Sequence, residues 1–292
     1  MPDDLLSIGL HYGIPFPQYA VQYAMNSGAL RYASLSMAHV HAAFDGRIPS
    51  SDSQARKFGR MVHMRLLEPH RWDDAAIADP CCAILKSGDR KGEACGLNSQ
   101  YTLGRNWFCG KHAPPDAVQP RDFASRDEAW RIERMAEAVQ FDFTGGETEV
   151  VAIADVDGVR CKGRFDLMTD AAIYDFKKCM VGDADPETCE KSILSYGWHI
   201  QAALYLTLAK QLTGVDRRFT WIFIEDGEPY SVVEMEADDE TINIGRSEVT
   251  LALRRWRECV ESGKYPGPVS RPGGLPLWYR ERWADDNFKV TA

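Results

Sequence analysis

The spacing of apolar residues along the chain predicts five helices. Phe58, Met61 and Val62 recur at helical spacing, and Ser53 precedes them as a candidate N-cap. In another segment Ser125 and Glu128 have the spacing of a capping box. The predicted helices cover residues 36–44, 53–67, 125–139, 187–212 and 238–262.

Alternation of polar and apolar residues predicts five strands. They cover residues 149–154, 159–167, 172–177, 218–225 and 230–236. Tight turns separate neighbouring strands at Asp157-Gly158, Thr169-Asp170 and Asp226-Gly227. A meander of strands followed by a helix, two more strands and a helix is typical of a layered α/β (α+β) domain.

Periodicity disappears between residues 80 and 120, where Pro, Gly, Cys and Lys dominate. Such a segment is typical of an inserted loop or a small metal-stabilised module. We therefore expect three parts: an N-terminal helical part of the main domain (1–79), the inserted module (80–120), and the core with the C-terminal segment (121–292).

Composition excludes several classes of protein. The 292 residues are 45% hydrophobic and 26% charged, which argues against a disordered or fibrous chain. A net charge of −9 argues against a purely electrostatic nucleic-acid binder, although an enzyme can still hold DNA in a local basic groove. We see neither a membrane span nor a secretory signal, and we expect a cytoplasmic protein.

The strands predicted around residue 170 bring two acids and a lysine to one face. If Thr169-Asp170 is a two-residue turn, Asp166 faces Ile173, and Asp175 lies diagonally from Asp166 at roughly 7–8 Å. Lys177 stands one pleat further on the same face. Two carboxylates can share one Mg²⁺ or Mn²⁺ ion, which supports phosphodiester hydrolysis. The alternative is a solvated sheet face that carries an ordinary Asp–Lys pair.

These residues resemble a known superfamily. Asp166 followed by Asp175-Phe176-Lys177 resembles the core of the PD-(D/E)xK nucleases, and Gln201 with Tyr205 resembles the Q-x-x-x-Y motif of RecB-like exonucleases. The stretch from Gly59 through His63 to Leu67-Glu68-Pro69 is similar to a helix of the exonuclease VIII (RecE) type. The segment 276–287 also resembles the terminal segment of that family.

The resemblance implies a restriction-endonuclease-like core with a mixed sheet flanked by helices. It implies an Mg²⁺-dependent exonuclease that degrades linear duplex DNA, 5′→3′, in phage-type recombination. It also implies a single-strand annealing protein as partner and a homo-oligomeric ring around DNA. Two alternatives stay open: a non-catalytic DNA-binding protein, and a structure-specific or restriction-like endonuclease of the same fold.

The same resemblance assigns roles to individual residues. Asp166 and Asp175 would bind metal together with His63, and Lys177 would position the attacking water. The Phe176 carbonyl would assist at the metal. Gln201 and Tyr205, on one face of a helix, would contact DNA. Glu149, at the start of the first strand, could also reach the site.

Cysteine and histidine residues in the 80–120 module have zinc-ligand spacing. Cys82, Cys95, Cys109 and His112 form a three-thiolate, one-imidazole set, in which Cys109 and His112 are three residues apart. Cys81 is an alternative to Cys82. A flexible loop with unrelated cysteines and an iron–sulfur cluster are the other interpretations, but clusters usually take four cysteines. We therefore expect a structural zinc ion.

Overall fold

The computed structural model describes residues 5–48, 53–73 and 75–269. The segment 276–287, which resembles a family terminus, lies outside the described residues. The helices of the described part are α1 (Phe16–Ala20), α2 (Ser27–Leu30), α3 (Met37–Phe44), α4 (Gln54–Leu67), α5 (Pro69–Trp72), α6 (Arg126–Ala138), α7 (Pro186–Tyr196), α8 (Trp198–Thr213) and α9 (Asp239–Ser262), with a 3₁₀ turn at Arg31–Ser34. The strands are β1 (Gly9–His11), β2 (Ile77–Ala78), β3 (Tyr101–Leu103), β4 (Asn106–Phe108), β5 (Ala124–Ser125), β6 (Glu147–Val156), β7 (Val159–Met168), β8 (Ala172–Cys179), β9 (Arg218–Glu225) and β10 (Val232–Glu236).

A six-stranded mixed sheet forms the centre of the protein. Its strand order is β1-β6-β7-β8-β9-β10. Within the described part of this sheet, β8 and β9 are the one parallel pair, because the connection between them contains α7 and α8 and returns the chain to the same end of the sheet. The expected mixed sheet with flanking helices is confirmed.

Helices cover both faces of this sheet. On one face α8 and α9 pack over residues such as Phe165 and Trp221, in the larger hydrophobic cluster. On the other face α4 and α6 pack over Phe176 and Ile222. Burial on both faces explains the continuous apolar runs in β6 and β9, at residues 150–154 and 221–224.

The predicted helix starts agree with the capping residues of the structure. The side chains of Ser36 and Ser53 accept hydrogen bonds from backbone amides of α3 and α4. Ser125 and Glu128 form the complete capping box of α6. The single helix expected over 187–212 is wrong, however: the chain forms α7 and α8, separated by Gly197. Gly197 has φ +69°, a left-handed conformation that ends α7 and that glycine adopts without steric penalty.

The turn between β7 and β8 is longer than the sequence predicted. Met168 pairs with Ile173 and Leu167 with Tyr174, so the expected pairing of Asp166 with Ile173 is wrong by two residues. The hydroxyl of Thr169 accepts a hydrogen bond from the amide of Ala172 at 3.0 Å, which stabilises a four-residue turn. A shift of two residues conserves the faces of a strand, so the inference that Asp166 and Asp175 share a face survives the error.

Several short elements have no clear signal in the sequence. Among them, β2 and β5 pair in parallel and bring the two ends of the 80–120 module side by side. Within the module β3 and β4 form a small hairpin. Among the described residues, none of the helices combines the length and the apolar character that a bilayer crossing requires.

Candidate active site

The site lies where β7 and β8 separate. The two strands pair at only two positions next to their turn. Asp166 lies at the start of the gap, and its Oδ2 accepts a hydrogen bond from the backbone amide of Phe176 at 2.8 Å. This contact holds the Asp166 carboxylate between the strands and satisfies an amide that would otherwise lack a partner.

Asp175 and Lys177 form a close ion pair on β8. Lys177 Nζ lies 2.5 Å from Asp175 Oδ2, and only 1% of Asp175 is exposed. Burial raises the pKa of Asp175 to about 6, although the positive charge of Lys177 opposes this shift. The structure therefore brings together the acids and the lysine that the sequence selected.

Gln201 fixes the orientation of this ion pair. Its Nε2 donates to Asp175 Oδ1 at 2.7 Å, and its Oε1 accepts from Lys177 Nζ at 3.3 Å. The Lys177 ammonium also lies 4.9 Å from the centre of the Trp198 ring. Gln201 thus contacts both members of the pair rather than facing solvent alone.

Tyr205, one turn further along α8, is buried. Its ring lies 4.9 Å from that of Phe165, and a side chain at Gly163 would meet it at 3.0 Å. Gly163 is therefore the residue that allows α8 to approach β7 closely. Burial raises the pKa of the Tyr205 hydroxyl well above its ordinary value. The expected DNA contact by Gln201 and Tyr205 stays a prediction, and the structure gives both residues a role in packing and positioning.

His63 reaches the same gap from α4. Its Nε2 lies 2.9 Å from the carbonyl oxygen of Phe176, and its Nδ1 lies 3.7 Å from Asp166 Oδ1. Burial alone would lower the pKa of His63, but the charges of Asp166 and Glu149 outweigh it and raise the pKa. The imidazole, the Asp166 carboxylate and the Phe176 carbonyl that the family resemblance grouped are thus adjacent.

Glu149 completes the cluster. The pairing of Val150 with Phe165 and of Thr148 with Leu167 places Glu149 opposite Asp166. Glu149 has φ +54°, which is uncommon for a residue with a side chain. Burial and the Asp166 charge raise its pKa to about 7, against the effect of Arg164. The sequence contains the signal for this position, because a hairpin turn at Asp157-Gly158 pairs residue 149 with 166.

This cluster suits a divalent cation. One ligand atom from each of His63, Glu149 and Asp166 can be chosen such that all lie within 4.8 Å of one another. Burial is the main cause of the raised pKa values of Glu149 and Asp175, and the nearby Asp166 charge adds to both shifts. Carboxylate oxygens are the preferred ligands of Mg²⁺ and Mn²⁺, so these residues fit such an ion.

A cleft of about 420 Å³ opens onto this cluster. Four arginines and two aromatic residues of α1 line it: Arg60, Arg71, Arg121, Arg164, Phe16 and Tyr19. Arg164 Nε lies 2.5 Å from Glu149, whereas the exposed Arg121 lies over the Phe16 ring at 5.2 Å. Lys162 holds the end of α1 and the residues after it in place, because its ammonium donates to the carbonyls of Tyr19, Ala20 and Gln22.

A second group of potential ligands lies in the 80–120 module. Cys81, Cys95, Cys109 and His112 have ligand atoms within 4.8 Å of one another. Cys82 is exposed and lies outside this group, so the preference for Cys82 over Cys81 is corrected. Residues 81 and 82 point to opposite sides of an extended chain, and only the side chain of Cys81 faces Cys95 and Cys109.

Hydrogen bonds around Cys81 stabilise its thiolate. His112 Nδ1 lies 3.6 Å from Cys81 Sγ and 3.4 Å from Cys109 Sγ. Burial alone would raise the pKa of Cys81, but hydrogen bonds from the backbone of Cys109 and Ala83 and from His112 lower it to about 7. The three cysteines are also free rather than paired in disulfides.

Comparisons with known proteins concern the fold and the family of the chain. A solved structure described as a "putative exonuclease" from Eubacterium rectale has 14% sequence identity and a TM-score of 0.57, over 92% of this chain and 96% of that chain. A second, SSO0001, has 17% identity and a TM-score of 0.26, over 44% of this chain and 63% of that one, a score too low to indicate a shared fold. No curated protein matches the sequence.

At 14% sequence identity, the similarity to the first of these structures shows the fold alone. The sequence itself matches a family model, described as a PDDEXK-like domain of unknown function (DUF3799), over residues 27–270. That range contains every residue of the acid–lysine cluster and of the cysteine–histidine group. The chain therefore belongs to this family of PDDEXK-like domains, within the PD-(D/E)xK nuclease superfamily.

Proposed function

We propose that the protein is a metal-dependent deoxyribonuclease that degrades duplex DNA from its ends. One observation carries the proposal: the gap between β7 and β8 brings Asp166, Asp175 and Lys177 together, beside an arginine-lined cleft. Burial raises the pKa values of Asp175 and Glu149, and buried acids of this kind grouped beside a cleft are typical of functional sites. Membership of a PDDEXK-like family supports the same chemistry.

The residues that would hold the ion are His63, Glu149 and Asp166, with the Phe176 carbonyl adjacent. A bound Mg²⁺ or Mn²⁺ ion supplies Lewis-acid stabilisation of negative charge on the scissile phosphate. Asp175 is held by Lys177 and Gln201 and borders the same gap. Its negative charge contributes to the affinity of the site for a cation.

Lys177 supplies the positive charge of the reaction centre. The contacts with Asp175 and Gln201 keep its ammonium in one orientation. From there it can hold the attacking water by a hydrogen bond and neutralise charge that develops on the phosphate. The preorganised pair needs little rearrangement during the reaction, which is the main source of catalytic advantage for such groups.

The arginines around the cleft fit a polyanionic substrate. Arg60, Arg71 and Arg121 lie on the cleft wall although the whole chain carries a net charge of −9. Local basic groups of this kind bind DNA phosphates without regard to sequence.

The resemblance of the His63 helix to the exonuclease VIII type supports four finer features. These are 5′→3′ polarity, a ring-shaped oligomer, an annealing-protein partner and a role in phage-type recombination. The description of the solved neighbour as an exonuclease supports end-dependent cutting.

Digestion of end-labelled linear duplex DNA with Mg²⁺, beside closed circular DNA, tests the proposal. We expect loss of the linear DNA only, and the labelled end reports the polarity. Lys177→Ala should lower the rate by at least about a hundredfold, since it removes the charge that acts in the transition state.

Lys191→Ala is the matched control, because Lys191 lies on the outer surface of α7 and forms an exposed ion pair with Glu187 on the same helix. Cutting of the circle would identify an endonuclease instead. Folded protein that binds DNA without cutting it would favour a non-catalytic role and would contradict the proposal.

A further inference from the structure

The 80–120 module has almost no hydrophobic core of its own. Its buried cluster consists of Cys81, Cys95 and Cys109, with Ala83, Leu85 and Phe108 packed around them. A cluster in which the central atoms are thiol sulfurs provides little apolar burial. Some other interaction must therefore hold this segment in one conformation.

The backbone presents the ligand atoms in two pairs. Cys81 and Cys95 lie on neighbouring extended segments, joined by hydrogen bonds from Cys81 N to Leu97 O and from Gly96 N to Cys81 O. Cys109 and His112 lie on one turn, closed by a hydrogen bond from His112 N to Cys109 O at 3.0 Å. Two tight pairs that face each other are typical of structural zinc sites.

The distances match tetrahedral zinc coordination. With Zn–S and Zn–N bonds of about 2.3 and 2.0 Å, tetrahedral geometry requires sulfur and nitrogen to lie roughly 3.5 Å apart. His112 Nδ1 lies 3.6 Å from Cys81 Sγ and 3.4 Å from Cys109 Sγ. Three sulfurs and one nitrogen also form a soft donor set, unlike the carboxylates that surround Asp166.

We propose that Cys81, Cys95, Cys109 and His112 bind one structural zinc ion, and that this ion fixes one wall of the catalytic cleft. Four protein ligands leave no open coordination position, so the site is structural rather than catalytic. The proposal assigns Cys81, not Cys82, as a ligand. It concerns a metal separate from the one proposed for nuclease activity.

Packing at the base of the module connects the zinc site to the cleft. The strand β4, which leads directly into Cys109, contains Trp107, whose ring packs on Phe123 at 5.6 Å between centroids. Arg121 and Asp122, the two residues that precede Phe123, line the cleft. Asp122 Oδ1 accepts a hydrogen bond from Arg60 Nε at 2.6 Å, which ties the exit of the module to α4, the helix of His63.

Loss of the ion should therefore affect both the module and the cleft wall. The parallel pairing of β2 with β5 brings the two chain ends of the module together. The β2–β5 pairing fixes the two chain ends of the module, and the zinc ion fixes its four ligands. The loops between these fixed points are therefore short closed loops. The module then needs no larger hydrophobic core.

Metal analysis of the purified full-length protein tests the proposal, with adjacent cysteines as a matched pair. Cys81→Ser should lose zinc, whereas Cys82→Ser should retain about one zinc ion per chain and the wild-type melting temperature. The two substitutions are chemically identical and differ only in which side of the chain they alter. Loss of zinc from Cys82→Ser, or retention in Cys81→Ser, would overturn the assignment.

Two further measurements keep the test decisive if Cys81→Ser fails to fold. Stepwise modification of wild-type thiols by a mercurial should release zinc, and replacement by Co²⁺ should give the visible absorption of tetrahedral thiolate coordination. The zinc content is also measured in Asp166→Asn, which removes the acid site but should leave the zinc ion of the module bound. Iron with sulfide, or well-folded wild-type protein without metal, would contradict the proposal, whatever the nuclease assay shows.

Discussion

Glu149 lies opposite Asp166 across the β6–β7 hairpin, and its backbone has φ +54° at that position. A residue with a side chain adopts this conformation at a cost in free energy, so the surrounding structure must favour it. The two acids face each other beside His63, in a set whose ligand atoms lie within 4.8 Å. The strained backbone thus directs a third acidic group into the proposed metal site, in addition to the acids of the D-x₈-D-x-K pattern.

Glu149→Gln should weaken Mg²⁺ binding at least about tenfold and lower the nuclease rate accordingly, because an amide is a poorer ligand than a carboxylate. The Mg²⁺ concentration that gives half-maximal activity measures this effect. Glu147→Gln is the control, since Glu147 is exposed on the same strand. An unchanged Mg²⁺ dependence in Glu149→Gln would place Glu149 outside the metal site.

Gln201→Ala should reduce kcat by roughly 10–100-fold, since Gln201 positions Asp175 and Lys177 without reacting itself. KM for DNA should change little if positioning is its main role. Gln211→Ala, on the exposed side of the same helix, should behave as wild type. A large increase in KM with kcat unchanged would instead support the direct DNA contact that the Q-x-x-x-Y resemblance implies.

Local signals in the sequence predicted most of the fold. The caps at Ser53 and Ser125 and the alternation of the central strands all depend on interactions within a few residues. The break at Gly197 was missed, because a glycine in a helical pattern has the same local signature whether the helix continues or ends. The register error at the β7–β8 turn arose because Thr169 stabilises a longer turn through its side chain.

The site was harder to predict where tertiary contacts decide the outcome. Asp166, Asp175 and Lys177 could be grouped by strand periodicity, and His63 by resemblance. The choice between Cys81 and Cys82 depends on which side of the chain faces Cys95, and spacing along the sequence cannot show that. The basic residues Lys162 and Arg164 are close in sequence to the motif, but Lys162 binds backbone carbonyls and Arg164 binds Glu149. The proposed DNA contacts are therefore assigned to other arginines.

The stability of the metal-free protein should depend on pH through two buried acids. The pKa of Glu149 is raised to about 7 and that of Asp175 to about 6, so the folded state holds protons that the unfolded chain has lost. Their stabilising contribution is present at low pH and is lost as the pH rises through 6 to 7. An Mg²⁺ ion bound at the proposed site would compensate the negative charges that appear.

We therefore expect Mg²⁺ to raise the melting temperature little at about pH 5 and by several degrees at about pH 7.5. Differential scanning fluorimetry with and without Mg²⁺ measures this difference, without a chelator so that zinc is not removed. Asp166→Asn should abolish the Mg²⁺ effect at both pH values. An equal Mg²⁺ effect at both pH values in the wild type would show that ionisation of these two acids is not coupled to binding of the ion.

Arg121 is the cleft arginine best placed to contact a phosphate. Its guanidinium lies over the Phe16 ring at 5.2 Å, it is exposed, and within the part of the chain that the structure describes it has no carboxylate partner. Arg164, in contrast, is held by Glu149. An exposed guanidinium next to an aromatic edge can bind a DNA phosphate at little desolvation cost.

Arg121→Ala should weaken DNA binding and reduce the slope of log K against log salt concentration by about one, as expected for the loss of one phosphate contact. Fluorescence anisotropy with Ca²⁺ in place of Mg²⁺ measures binding without cleavage. Arg126→Ala is the matched control, because Arg126 is five positions along the chain, exposed, and paired with Asp79 outside the cleft. If both variants lower the slope equally, the effect is one of overall charge, and the cleft is not the path of the DNA backbone.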